Sequence, residues 1–401
     1  MKHPCPCCAG SAFERLIAFE GLPPSGLFRS SATEQLPVFA LGFELCAGCG
    51  LVRQGSEPPP KDYARIDRAA ALKLPPHAAA LIAALASKGV DHKDLILEVG
   101  SNEGTFLEEL RSTGYTSLVG VEPSVALAER SRGKGFSIIN DYFGPDCSAE
   151  VVRKFGTPKA IVCRHTVEHV PDPFSFVAAM RECLAEQDGV LLIELPDGSA
   201  IPELLNVYEL WDEHLCYFSS ENAALMLGRA GFVVTEKLSF PYLDTRNIVL
   251  WAHPGPVRSD VAPDQSRQIE QRIERWRQMP AAWRRLTMAM GTRLQDAPKP
   301  VYSVGAAHSQ TNFFGFADLG GAVDFMIDDD SYKVGKLPPM KSGAPVIIST
   351  ADFESRADRG TVVLSGFGYP KWAQRIRAHA ARTGMQVIDP GVLIEALPTR
   401  P

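Results

Sequence analysis

Leu97-Glu98-Val99-Gly100-Ser101-Asn102-Glu103-Gly104-Thr105-Phe106-Leu107 is the stretch on which the fold turns. The apolar run Leu95 to Gly100 predicts a buried strand, and Thr105 to Gly114 predicts the helix that follows it. Gly100 and Gly104 therefore fall at a strand-to-helix turn. Glycines there let backbone amides approach a ligand, and the helix N-terminus favours an anionic group such as a carboxylate. The spacing is neither the dinucleotide pattern G-x-G-x-x-G nor a phosphate loop ending in Gly-Lys-Ser/Thr. The next predicted strand, Ser117 to Glu122, ends in an acid about twenty residues further on, where it can accept hydrogen bonds from a ribose. Together these features point to a nucleoside cofactor with an amino-acid tail.

Working outward, strand and helix signals alternate, which marks a parallel α/β sheet. A helix is predicted from about Pro76 to Lys88 and another from Pro123 to Gly135, where glycine closes it. Further strands are predicted at Phe136 to Ile139, Ala160 to Cys163 and Gly189 to Leu195, with a last pair at Phe232 to Lys237 and Asn247 to Ala252. From Val261 to Ala297 the pattern becomes a charged helix with Ile269, Ile273, Trp276 and Met279 on one face, predicted to be a linker. A second α/β unit begins at Pro300 to Gly305 and continues through Val323 to Asp328, Pro345 to Ser349, Thr361 to Gly366 and Met385 to Asp389.

The whole chain has 401 residues, too many for one ordinary core. Its 41 Lys plus Arg against 47 Asp plus Glu give 41 − 47 = −6, a poor balance for binding nucleic acid. The apolar stretch Ala78 to Ala86 is far short of the roughly 20 residues of a membrane span. MKHPCPCC contains no signal-peptide core, so the expected compartment is the cytoplasm.

Five of the nine cysteines lie in the first fifty residues. Cys5-x-x-Cys8 and Cys46-x-x-Cys49 each let two thiolates of one turn face the same ion, and two such turns complete a tetrahedral sulfur shell. Four sulfurs with no open position predict a structural Zn²⁺, with an iron–sulfur cluster as the alternative. Cys7 competes as a ligand, and the repeated two-residue gap selects Cys8. The segment between the pairs reads as polar and poor in apolar material, so metal would supply its folding energy. After Cys49 the three prolines 58–60 mark a connector. The predicted division is a zinc module (1–60), an α/β domain (61–260), a linker helix (261–297) and a second α/β domain (298–401).

E-V-G-S-N-E-G-T-F-L followed by V-E-P resembles the S-adenosylmethionine site of class I methyltransferases. More narrowly, nearly the full length resembles the three-domain sugar C-methyltransferases, which methylate a ketone-activated carbon of a nucleotide-linked deoxysugar. The cysteine pairs with Gly50, Leu51 and Val52, the Glu213–His214 element before Tyr217, Phe218 and Ser219, and Ile327 to Pro338 with Lys333, Gly335 and Lys336 carry that likeness. The resemblance implies a class I Rossmann-like central domain between a zinc module and a second Rossmann-like domain. It also implies that Gly100, Ser101, Asn102 and Gly104 surround the methionine end of the cofactor, with Glu98 near its amino group. Glu122, beside Pro123, would hold the ribose, while Asn140, Asp141 and Tyr142 would flank the adenine. Arg164, His165 and His169 would point toward the sulfonium.

Forming a carbon–carbon bond requires an enolate, hence a base and a group that stabilises the enolate oxygen. His214 is the predicted base, because an imidazole titrates near neutral pH; Glu213 orients it or acts in its place. Tyr217 and Tyr208 are candidates to hydrogen-bond the ketone. The family has Y-x-E-H where this chain has Trp211, so Tyr63 or Tyr208 would fill the missing phenol's role, or the substrate is flatter than a deoxysugar. Leu337 is followed by Pro338 and Pro339, where the family tends to have LPG. Lys333 and Lys336 would meet the charge of a nucleotide diphosphate, which the acidic chain as a whole repels. The competing functions are an O- or N-methyltransferase on another small metabolite, and a non-enzymatic zinc-containing binding module.

Overall fold

The computed structural model describes residues 3–56, 63, 74–242, 245–258, 263–364 and 370–396. The proline connector at 58–60 and the predicted boundaries at 60–61 and 260–261 lie outside them.

The seven-stranded central sheet has the order Phe232–Tyr242, Thr245–Pro254, Val190–Pro196, Ala160–Arg164, Ile96–Val99, Leu118–Val121, Ser137–Ile139. Thr245–Pro254 runs antiparallel to both its neighbours, and the remaining pairings are parallel. All four residues of Ile96–Val99 are buried, and the two-residue period of the strand divides them between two cores. Leu97 and Val99 pack with Val151, Val177 and Leu227, while Ile96 packs with Leu81, Leu85 and Leu107. Helices therefore cover both faces, as a mostly parallel sheet requires. Side chains satisfy several exposed helix ends: Asp172 accepts from the Ser175 amide, and Ser219 forms a capping box with Asn222.

The N-terminal sheet is antiparallel, in the order Phe13–Leu22, Phe39–Cys46, Val52–Gln54, Cys216–Tyr217. Here the sequence reading is corrected. The segment between the cysteine pairs is not poor in apolar material: Leu41, Phe43 and Leu45 alternate into a buried core with Phe19 and Leu22. The last strand of this sheet comes from far along the chain, just after His214.

The third sheet is fully parallel, in the order Val346–Ile348, Phe325–Ile327, Val301–Val304, Thr361–Val363, Gln386–Ile388. Chain direction along the sheet order reverses between its third and fourth strands, the place where open α/β sheets leave a crevice. The helix Pro263–Gln295 runs 33 residues. Its apolar row continues past Met279 through Trp283, Leu286, Met290 and Leu294, all buried in one cluster with Phe43 and Met326. The predicted linker is thus a central strut of the core.

Candidate active site

The turn after Ile96–Val99 needs its glycines. Gly100, Asn102 and Gly104 have φ of 76°, 52° and 78°. A Cβ on Gly100 would lie 2.3 Å from Thr166 Oγ1, so the loop sits directly on the turn after Ala160–Arg164. Both the Gly100 and Ser101 amides donate to the Val121 carbonyl, which stitches the loop to the next strand.

Glu122 ends that strand with its carboxylate accepting the Asn102 and Ser124 amides, each at 2.8 Å. Burial raises its pKa, against those two amide bonds. The Asn140 side-chain amide donates to the carbonyls of Glu122 and Pro123, so it braces this corner. Asp141 accepts the Tyr142 amide, and the Tyr142 ring is exposed. Glu98 is buried, with Oε2 lacking a hydrogen-bond partner among the described residues. Its pKa is pushed up to about 8, mainly by burial and also by Glu122, with Arg164 opposing.

Arg164 corrects an expectation: its Nε donates to the Glu194 carboxylate at 2.6 Å and its guanidinium covers the Phe106 ring, so it is turned into the fold. Glu194 also meets His77 at 2.7 Å and lies 3.5 Å from His165 Nε2. Burial opposes charge on His165, but the carboxylates of Glu168 and Glu194 overcome it and raise the pKa to about 9. This buried ionic network, with Glu194 and His77 at its centre, was not anticipated from sequence; neither residue stands in a recognisable motif.

His169 closes the short 3₁₀ turn Val167–His169. Its Nδ1 lies 2.8 Å from the Glu213 carbonyl and 3.1 Å from the Tyr63 hydroxyl, and its ring is 4.8 Å from that of His214. The turn at 166–169 thus touches the glycine loop on one side and the Glu213–His214 pair on the other. Sequence reasoning overlooked Glu168, although it stands beside His169 in the segment Arg164 to Val170. Leu215 donates to its carbonyl at 2.7 Å.

The stretch carrying Glu213 and His214 is held from three directions. Gln54 Nε2 lies 2.9 Å from each of the carbonyls of Trp211, Asp212 and His214. Asn312 donates to the carbonyls of Tyr208 and Leu210, and the Ser25 amide donates to the Asp212 carboxylate. Trp211 stacks on His308, a contact invisible in the sequence, and its indole N–H is buried without a partner among the described residues.

Three roles read from sequence need revision. Burial, reinforced by His169 and His308, holds His214 well below the ordinary histidine range, so it does not titrate near neutral pH. The Tyr217 hydroxyl accepts from the Trp211 amide and donates to the Trp211 carbonyl, which makes it a buried loop anchor. Tyr208 is buried with its hydroxyl on Asn206, so neither phenol is presented to a ketone. Tyr63 instead places its hydroxyl 3.1 Å from His169 Nδ1; burial first, then Glu213 and Glu168, keep its phenol protonated.

In the third sheet, Lys333 pairs with Asp328 at 2.9 Å, and Lys336 lies 3.5 Å over the Tyr332 ring. Part of the positive charge assigned to substrate is therefore already neutralised.

The thiols of Cys5, Cys8, Cys46 and Cys49 lie within 4.8 Å of one another, with Sγ pairs Cys5–Cys49 and Cys8–Cys46 at 3.5 Å. Cys7 is buried outside this group. Four convergent sulfurs are the donor set of a closed tetrahedral metal site.

The central sheet order, with its antiparallel strand second from one edge, decides the class. This is the class I methyltransferase fold. The family described as "Methyltransferase domain" matches residues 70–237. The chain is similar to the C-methyltransferase NovU of Streptomyces niveus, 28% identical over 178 residues, or 44% of this chain. It spans 41% of that relative's length. Among solved structures, an S-adenosylmethionine-dependent methyltransferase of Clostridium acetobutylicum is 13% identical with a TM-score of 0.38, covering 46% of this chain and 94% of its own. A magnesium protoporphyrin IX methyltransferase of Synechocystis with bound cofactor is 12% identical with a TM-score of 0.33, covering 44% and 76%. Among the described residues of this methyltransferase-fold chain, no helix is long and apolar enough to cross a membrane.

Proposed function

We propose that the chain is an S-adenosylmethionine-dependent C-methyltransferase that acts through an enolate on a keto-deoxysugar nucleotide. The observation that carries this reading is the turn at 166–169, which packs on Gly100 and also holds Glu213 and His214. A methyl donor seated on the glycine loop would then face a proton acceptor across one turn of chain, and methyl transfer needs mainly that alignment. Glu98 would take the cofactor's ammonium and Glu122 its ribose. The adjacent pair Glu213 and His214 supplies the proton acceptor, and the indole N–H of Trp211, which has no partner among the described residues, offers a donor in place of the family's phenol. The likeness to a protein named as a C-methyltransferase favours carbon over oxygen or nitrogen as the acceptor. The four-cysteine group would hold structural Zn²⁺, and Lys336 with Lys333 would face the diphosphate.

Calorimetry with S-adenosylhomocysteine tests the cofactor assignment, and absence of binding refutes it. For the reaction, nucleotide-linked 4-keto sugars are incubated with deuterated methyl donor and read by mass spectrometry and carbon NMR. A new carbon-bound methyl supports the reading, whereas a methyl on oxygen or nitrogen overturns it.

A further inference from the structure

Glu168 is 2% exposed, and neither carboxylate oxygen has a hydrogen-bond partner among the described residues. Its closest recorded cationic contact is His165 Nδ1, 3.7 Å from Oε1, beyond hydrogen-bond distance. A buried carboxylate left in this state is costly unless a cation or a set of donors meets it. Ligand-capable atoms of Glu168, His169 and His214 all lie within 4.8 Å of one another. We propose that these three residues form a second metal site, distinct from the four cysteines, for a divalent first-row transition-metal ion.

Two further observations support this. His169 Nδ1 sits 2.8 Å from the Glu213 carbonyl, so the proton is on Nδ1 and the lone pair is left on Nε2. A ring N–H held by a backbone carbonyl is the usual support behind a metal-bound histidine. His214 makes ring contacts with His169, Trp211 and Tyr217, but its nitrogens meet no hydrogen-bond partner among the described residues. One carboxylate and two imidazoles are borderline donors suited to zinc, iron, cobalt or nickel rather than calcium. Three protein ligands also leave positions open to substrate, unlike the closed sulfur site.

The ion's role rests on the C-methyltransferase reading; the site itself does not. With the ion at His214, the Glu213–His214 pair divides its work. The substrate's ketone oxygen binds the ion, and the proton on the adjacent carbon passes to the Glu213 carboxylate. The C–H electron pair becomes the enolate, whose oxygen charge the ion holds. That carbon then takes the methyl group from the sulfonium, which leaves as a neutral thioether. This supplies the electrophilic stabilisation for which Tyr217 and Tyr208 are not positioned.

Cobalt titration of the full-length protein, with zinc adjusted to one per chain, tests the site without any turnover. The expected result is one Co²⁺ per chain, with visible ligand-field bands and no thiolate charge-transfer absorption. His214→Ala and Glu168→Gln should each weaken cobalt binding at least about tenfold while zinc content and circular dichroism stay unchanged. If Glu168→Gln fails to fold, His214→Ala decides alone. The proposal is overturned if wild type takes up no cobalt, if binding survives unchanged in His214→Ala, or if the spectrum is that of a thiolate site. S-adenosylhomocysteine binding in the same samples separates the two ideas: retained binding without cobalt uptake sinks the metal site only, and the reverse sinks the methyltransferase reading only.

Discussion

Trp211 lies flat against His308, with ring centroids 4.2 Å apart and planes 14° from parallel. Trp211 belongs to the stretch that carries Glu213 and His214, while His308 opens the helix His308–Ala317 of the third sheet. One aromatic contact therefore ties the stretch carrying Glu213 and His214 to the crevice side of the C-terminal sheet. Trp211→Ala should cost roughly 1–3 kcal/mol in denaturant unfolding, from the lost stack and the space it leaves. Affinity for S-adenosylhomocysteine should stay within about twofold, while methylation of a nucleotide sugar falls at least about tenfold. Equal losses in both would show that the tryptophan serves only the fold.

Glu98 gives a proton-linked prediction. With its pKa near 8, the carboxyl is mostly protonated at pH 7, with Arg164 and Glu122 as the charged groups that face it. An ammonium docking beside it would ionise it, so S-adenosylhomocysteine binding should release up to about one proton. Calorimetry in buffers of different ionisation enthalpy reads this directly, and Glu98→Gln should abolish the release. The stability sign follows from the same shift. A carboxyl raised from 4.5 to about 8 stabilises the fold fully below the lower value, and that contribution is lost as pH rises through the upper one.

Gly100→Ala would place a methyl 2.3 Å from Thr166 Oγ1 at a φ of 76°. Left-handed backbone and overpacking together should cost about 2–4 kcal/mol. The variant should also lose cofactor affinity, since the loop must shift away from the turn. A thermal scan and a binding isotherm check the two effects separately, and an unshifted melting temperature would contradict the packing described.

Gln54→Ala removes a side chain that reaches three carbonyls of the 211–214 stretch. Leaving those acceptors without their donor should cost about 1–3 kcal/mol. Stripping the Zn²⁺ proposed for the four cysteines should act in the same direction, because the strand carrying Gln54 also pairs with Cys216 and Tyr217. Both treatments should slow methylation more than they weaken cofactor binding. Unchanged turnover after verified metal loss would break that link.

The alternating strands and helices were legible because each is short, apolar and punctuated by glycine or a cap. The N-terminal strands were legible too: Leu41, Phe43 and Leu45 alternate plainly, but the cysteines drew the reading toward a core-poor metal loop. The glycine turn from Gly100 to Gly104 was readable because a single segment supplies the whole of its backbone. Tyr217 was misjudged because a phenol's partner, here the Trp211 backbone, is set by loop shape. The depressed basicity of His214 has a similar origin, since His169 and His308 reach it from distant parts of the chain. Glu168 was hidden because its burial is set by segments far along the chain, such as Leu215, whose amide meets its carbonyl.

Phe43 and Tyr217 come from early and late strands of the N-terminal sheet, Trp276 from the long helix and Met326 from the C-terminal sheet, yet all four sit in one buried cluster. An interior of this kind is hard to inherit piecemeal. A chimera that borrows only the third sheet, to acquire a new acceptor, would import half of a core cut for another partner. A substitution at an exposed residue such as Tyr332 leaves that shared interior intact, which the exchange of a whole module does not.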